Sequence, residues 1–389
     1  MVGRGMVAGA MALALVAVPG TAAAATPRVP EPCAPPRGGT QVGESWGQRR
    51  LAFTGVWPLT QGEGVTVALV DSGVDTRHPQ VRVAKSVDLT GTGPLDCVGH
   101  GTAVAGIIAG ADMKEIPFAG VAPKARLISI KQTNTESGDV ALLAEGIKRA
   151  ADLGAKVLNI SIQTSDQPDL KNAVDYALAQ DVVIVAAAGN IRKGDGTPAP
   201  AYPAAYPGVL SVGSAGPDGK RTDFSNATTP VSVLAPGKDL TSTWPGAAYR
   251  QDLEGTSYAA PYVAGVAALV RARHPELDNV RVRRRIEITA DGASGVGTGA
   301  GMVNPLLAVS EILPSEVVAI APRQRGALPP GVVSKAKPPD QEAINLSVGV
   351  AVIAVCAAAL VTAVGMVIPL GRRRGWKPAN KALSGQVKP

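Results

Sequence analysis

What most restricts the fold of this chain is a series of short, uninterrupted apolar runs separated by helix-like stretches. Residues 65–70, 126–130, 156–162, 182–185 and 209–212 each read as a strand. Apolar residues at consecutive positions, rather than alternate ones, belong to strands covered on both faces. Helical patterns fill the intervals at 101–109, 140–153 behind the capping candidate Asp139, and 169–179. Strand–helix–strand alternation predicts an α/β domain with a mainly parallel sheet, whose chemistry gathers beyond the carboxyl ends of the strands.

Four motifs stand at such places. The first strand runs into Asp71-Ser72-Gly73, where a carboxylate at a buried strand end is placed to orient a histidine, although Asp-Ser-Gly is also an ordinary turn. Gly99-His100-Gly101-Thr102 puts one histidine at the start of a small-residue helix, with glycines that let a partner approach its ring. His78 and His274, each beside a proline, read as structural. Gly255-Thr256-Ser257 opens a long apolar helix, with Pro261 in or near its first turn, where a missing N–H costs little. Ser257 there is either a plain N-cap or a nucleophile at the positive end of the helix dipole, with its own N–H free to donate. The strand ending Ala187-Ala188-Gly189-Asn190 delivers an amide that can donate to an oxyanion beside that N–H.

The charge balance separates function classes. The chain has 389 residues and a formal charge of +7. Arg4 is the only charge in residues 1–25, and residues 345–389 carry six positive charges and no acid, so the stretch between is formally neutral. The basic cluster Arg271, Arg273, Arg281, Arg283, Arg284 and Arg285 reads as a solvated helix surface, and 3% aromatic residues leave little to stack on bases, so no nucleic-acid partner is expected. No loop has the acidic density of a calcium site, and no metal or cofactor is assigned.

The ends give the topology. Arg4, the apolar run 6–18 and the small residues up to Ala25 read as a signal peptide over residues 1–25. Residues 343–371 carry no charge, and residues 344–370 are long enough to span a bilayer as a helix. Arg372-Arg373-Arg374 then place the tail, residues 371–389, in the cytoplasm and the body outside. Residues 316–343 form a proline-rich linker. Cys356 lies in the span, as a small apolar residue or a lipidation site, and Cys33 and Cys97 remain as a pair that an exported body can oxidise, or as two free thiols.

Taken together, Asp71, His100, Asn190 and Ser257 in that order resemble the subtilisin-like serine proteases over roughly residues 56–308, with Gly-His-Gly-Thr-x-Val-Ala-Gly and Gly-Thr-Ser-x-Ala-Ala-Pro as specific signals. The resemblance implies a three-layer fold, with Asp71 as orienting group, His100 as base then acid, Ser257 as nucleophile and Asn190 in the oxyanion hole. It also implies a substrate cleft formed by Ser161, Ile162, Gln163, Ala187 and Gly189. The whole layout is similar to the mycosins, membrane-anchored proteases of type VII secretion systems. It shares their short cysteine-bearing extension, here residues 26–55, Asp96-Cys97-Val98-Gly99-His100, Gly301-Met302-Val303-Asn304-Pro305 and a C-terminal helix after a peptidase domain at 56–315. That resemblance implies association with the secretion membrane complex and cleavage of exported proteins. A scaffold role in that complex, with proteolysis secondary, is the alternative. About 40 residues between Ala25 and the first strand are too few for a folded inhibitory pro-domain, so the extension is expected to wrap the body permanently, strapped by Cys33–Cys97. Three features depart from the pattern: Tyr258 follows the serine where subtilisins have methionine, Gln163-Thr164 replace cleft glycines and would narrow the first specificity pocket, and a second cysteine pair is missing.

Overall fold

The computed structural model describes residue 3 and residues 33–135, 138–191, 197–292, 295–317 and 340–375. The expected signal peptide, most of the linker and the tail beyond 375 lie outside the described residues. The chain forms two compact units, one ending at Leu313 and one beginning at Pro314.

In chain order the first unit contains α1 (Trp46–Leu51), β1 (Thr66–Asp71), β2 (Val83–Asp88), α2 (His100–Ala109), β3 (Arg126–Lys131), α3 (Val140–Asp152), β4 (Val157–Ile160) and α4 (Pro168–Ala179). It continues with β5 (Val183–Ala187), β6 (Leu210–Ala215), β7 (Val233–Pro236), β8 (Leu240–Trp244), β9 (Ala248–Leu253), α5 (Thr256–Arg273), α6 (Asn279–Ile288) and α7 (Pro305–Ser310). The second unit holds the short α8 (Pro314–Val317) and α9 (Gln341–Arg373).

Strands β1 to β7 form one sheet in the order β2-β3-β1-β4-β5-β6-β7, and every adjacent pair is parallel. The alternation that the apolar runs conceal appears in the packing. Val67 and Leu69 enter one core with α2 and α5, while Ala68 and Val70 enter the other with α3 and α4. Each fully buried Val, Leu or Ile in these layers contributes about 1.5–3 kcal/mol. Asp139 does cap α3, accepting from the N–H groups of Ala141 and Leu142. The expected strand at 156–162 is shorter, because the chain leaves the sheet at Ser161.

The strand order reverses between β1 and β4, and a crevice opens there at the carboxyl ends of the strands. Asp71 ends β1 opposite Lys131, while Ser161 follows β4 directly.

Residues 33–56 lie against the body along their length. Cys33 is bonded to Cys97. Gly39 and Tyr249 exchange two backbone hydrogen bonds of 2.8 Å, and the indoles of Trp46 and Trp244 donate to the carbonyls of Lys238 and Pro36. Ser45 Oγ meets the hydroxyl of Tyr262, inside α5.

In the second unit α9 carries no charge from 343 to 371 and has a mean hydropathy of 2.7 over its most apolar stretch. Thirty-three residues of helix rise about 50 Å, more than a hydrocarbon core of about 30 Å, so α9 is long and apolar enough to cross a membrane.

Candidate active site

Asp71 is almost wholly buried, and its Oδ1 accepts from the N–H of Ser72 at 2.8 Å and lies 2.7 Å from His100 Nδ1. His100 is the first residue of α2, so its position depends on how that helix end is held. Gly99 cannot cap it with a side chain; Asp96 does so from three residues upstream. One Asp96 oxygen accepts from the N–H groups of Val98 and Gly99, and the other from the N–H and hydroxyl of Thr102. A carboxylate at a helix N-terminus satisfies free amides and complements the dipole. Ser72 Oγ completes the link, donating to Asp96 at 2.8 Å and accepting from Gly101 N–H at 3.0 Å. The loop before Asp96 is tied by the fully buried Lys131, whose ammonium donates to the carbonyls of Gly93 and Leu95. Burial pushes that amine below its ordinary pKa.

The glycines around His100 do more than leave room for its partner, although a Cβ on Gly101 would also crowd Asp71 Oδ1 at 3.2 Å. A Cβ on Gly99, at φ +94°, would enter the ring of Trp244, and one on Gly101 would enter the carbonyl of Gly73. They allow α2 to sit against the β8–β9 ribbon and the β1 turn. The ring of Tyr258 lies 5.0 Å from that of His100.

Ser257 is the second residue of α5, which Gly255 precedes as N-cap, so the plain N-cap reading of the serine is replaced. Pro261 is inside the helix, not in its first turn. An interior proline leaves the carbonyl four residues back without its amide, here that of Ser257. Ser161 Oγ donates to that carbonyl at 2.7 Å and itself accepts from Asn159 Nδ2 at 2.9 Å.

Thr256 orients the amide of Asn190. Asn190 Oδ1 accepts from the N–H and hydroxyl of Thr256 at 3.0 and 3.1 Å, which turns Nδ2 the other way. A Cβ on Gly255 would sit 3.0 Å from Ser257 Oγ and 3.5 Å from Asn190 Nδ2, so the two atoms flank one small space. Thr256 Oγ1 also accepts from Gly189 N–H, and Gln163 Oε1 accepts from Asn190 N–H at 2.6 Å.

Asp71, His100, Ser161, Ile162, Gln163, Asn190, Ser257 and Tyr258 line one cleft of about 580 Å³. Ala187 and Gly189 are buried behind Asn190 instead. Trp244 and Arg250 of the β8–β9 ribbon form another wall, with the guanidinium 5.0 Å from the indole centre. Ser72, Asp96 and Thr256 were not singled out by the motifs, although Asp96 shows the capping residue type just before a helix start.

Residues 62–306 match the family model of the subtilases, Peptidase S8. The chain belongs to the subtilase family. This subtilase is a serine protease, 38% identical over 272 residues to thermitase of Thermoactinomyces vulgaris (68% of this chain, 95% of thermitase). It spans only between 63% and 65% of the length of several other curated relatives. Among solved structures it is similar to MycP1 from Mycobacterium smegmatis, with a TM-score of 0.66 and 32% identity over 73% of this chain and 89% of that one. It is also similar to the MycP3 protease from the type VII (ESX-3) secretion system, with a TM-score of 0.62 and 35% identity over 74% of this chain and 100% of that one. Both the subtilisin-like fold and the likeness to mycosins thus hold.

The arginine cluster is corrected in part. Arg271 and Arg285 are buried, not solvated: Arg271 donates to the carbonyls of Leu277 and Asp181, and Arg285 to that of Glu311. His78 is structural, as read, with Nε2 3.0 Å from the carbonyl of Ala248 and Nδ1 accepting from Gln80 N–H.

Proposed function

We propose that this subtilase is a membrane-anchored extracytoplasmic endopeptidase that cleaves exported proteins through Asp71, His100 and Ser257 and works with a type VII secretion membrane complex. The observation that carries the catalytic part is the 2.7 Å contact of His100 Nδ1 with the buried carboxylate of Asp71, in a cleft that Ser257 shares. A carboxylate on Nδ1 keeps the proton there and leaves Nε2 as the base.

In this reading Ser257 Oγ attacks the peptide carbonyl carbon as its proton passes to His100 Nε2. The carbonyl oxygen becomes an oxyanion held by Ser257 N–H and Asn190 Nδ2. The C–N bond breaks as His100 returns the proton to the leaving amine. Water then repeats the sequence on the acyl-enzyme and frees the acid and Ser257. The role of Asn190 is supported by the pair of bonds from Thr256, which fix the donor before the charge develops.

Anchoring is supported by α9, and its direction by Arg372-Arg373-Arg374, since Lys and Arg flanking a span favour the cytoplasmic side. The secretion role rests on the likeness to MycP1 and MycP3. The decisive experiment compares culture medium from cells carrying the active chain and Ser257→Ala: the reading requires at least one exported protein that is cleaved only with the active chain. If Ser257→Ala cleaves as fast as the parent, the serine assignment is wrong.

A further inference from the structure

The bond between Cys33 and Cys97 has unequal ends. Cys33 is exposed and lines a cavity of about 350 Å³ together with Arg37, Asp75, Arg77 and Asp96. Arg77 is held by both oxygens of Asp75, and Arg37 is exposed. Cys97 is half-buried, and its Sγ lies 3.7 Å from Lys131 Nζ. An ammonium has three N–H groups. Among the described residues, those of Lys131 meet the carbonyls of Gly93 and Leu95, at 3.0 and 2.6 Å, and this sulfur. No carboxylate touches the ammonium there; Asp88 and Asp96 act on it from further away. A buried cation without an anion in contact is unfavourable, and a thiolate at Cys97 supplies that anion. The acids that act on Lys131 are already committed. Asp96 accepts from Ser72, Val98, Gly99 and Thr102, and Asp88 from Thr90 and Gly93. The Leu95 carbonyl, 3.7 Å from the sulfur, accepts from Lys131.

Thiol–disulfide exchange is fastest when attack falls on the accessible sulfur and the other sulfur leaves as a stabilised thiolate. We propose that the Cys33–Cys97 bond is a reducible clasp opened by a dithiol, in which Cys33 is the attacked sulfur, Cys97 is the leaving thiolate held by Lys131, and the end of the extension comes free. One thiolate of the reductant bonds to Cys33 Sγ, and the electron pair of the Cys33–Cys97 bond leaves on Cys97 Sγ. The second thiolate of the reductant then attacks the first, closing a disulfide within the reductant and releasing Cys33. Two electrons pass to the protein; the two protons of the dithiol enter water, and Cys33 takes one up. Lys131 keeps the Cys97 loop in place, and with it Asp96 and the start of α2. The other side loosens. Pro36, in the wall of the cleft, follows closely after Cys33, and among the described residues the hydrogen bond that remains to hold this end, before Gly39 pairs with Tyr249, comes from the Trp244 indole.

The test uses the full-length chain in detergent micelles. Brief exposure to reduced glutathione, a monothiol that stays on the sulfur it attacks, is followed by excess N-ethylmaleimide and peptide mass spectrometry. Glutathione is expected on Cys33 and maleimide on Cys97; the reverse pattern overturns the proposal. After full reduction with dithiothreitol, Cys97 is expected to reach half its maximal alkylation rate at a lower pH than Cys33, and coincident profiles overturn the role of Lys131. Lys131→Met, of similar length without the charge, is expected to be reduced about tenfold more slowly, the weight of one hydrogen bond to a charged group. An unchanged rate overturns that role as well; should this variant fail to fold, the parent's profiles decide alone. Cys33→Ser carries the released end permanently. A fluorophosphonate is expected to label parent and Cys33→Ser at equal rates, and trypsin added to the labelled chains to cut after Arg37 several-fold faster in Cys33→Ser. Equal cutting, or labelling lost in the variant, overturns release of the end with the site intact. The mapping of the two sulfurs is independent of Ser257.

Discussion

Ser161 donates its hydroxyl to the carbonyl of Ser257, the acceptor that Pro261 leaves without an amide. The residue expected to act as nucleophile thus lies in the first turn of a helix whose hydrogen bonding is completed there by a side chain from beyond β4. Ser161→Ala leaves a partly buried carbonyl without its donor, which costs about 1 kcal/mol. Pro261→Ala restores a donor in the helix, so the double variant should recover part of that loss. Denaturant unfolding of the four proteins gives the coupling; strict additivity would show that the two residues do not share the carbonyl.

Thr256 offers a cleaner probe of the oxyanion donor. Thr256→Val keeps the shape but removes the hydroxyl that bonds both Asn190 Oδ1 and Gly189 N–H. It is expected to lower kcat about tenfold with KM little changed, the loss of one aiming hydrogen bond, whereas Thr256→Ser stays near the parent. Asn190→Ala is expected to cost about 10²–10³ in kcat, a magnitude taken from subtilisin itself. An equal effect of both Thr256 variants on kcat would remove the hydroxyl from the account.

Asp96 acts on His100 through the helix end. Asp96→Ala deprives the amides of Val98, Gly99 and Thr102 of their acceptor and should destabilise the domain by about 3 kcal/mol or more, as expected for a buried network. Asp96→Asn retains one accepting oxygen and should lie between the two. Thermal unfolding ranks the three proteins.

His78 sets a pH dependence of stability. Burial holds its pKa below the usual 6.5, against the smaller pull of Asp75 and of the Ala248 carbonyl. The unfolded chain therefore takes up a proton at a higher pH than the folded one. The stabilisation is complete above about pH 6.5 and declines as pH falls towards the lower folded value. In unfolding measurements at pH 8 and pH 5, His78→Asn should show a smaller loss between the two than the parent.

Much of this was legible because it is local. The apolar runs 65–70 and 182–185 announced buried strands, Asp139 announced its helix, and the glycine-framed motifs announced Asp71, His100 and Ser257. What escaped depends on partners far apart in sequence. The edge strand β2, half exposed, lacks an apolar run, and the β8–β9 ribbon owes its place to Ser242 and Thr243 packing on Gly106 of α2, to Trp244 packing on Gly99, and to the extension. Arg271 and Arg285 looked solvated because nothing nearby in sequence reveals that carbonyls at residues 181 and 311 await them. The Gln163–Asn190 bond is hidden for the same reason.

The pairing of Gly39 with Tyr249 reaches beyond the fold itself. An open ribbon edge is a template on which another chain can add a strand. Here the side of β9 away from β8 is occupied at Tyr249 by the chain's own N-terminal segment. Closing that edge keeps other extended chains from pairing there, and trimming the segment would expose a sticky border near its own cleft.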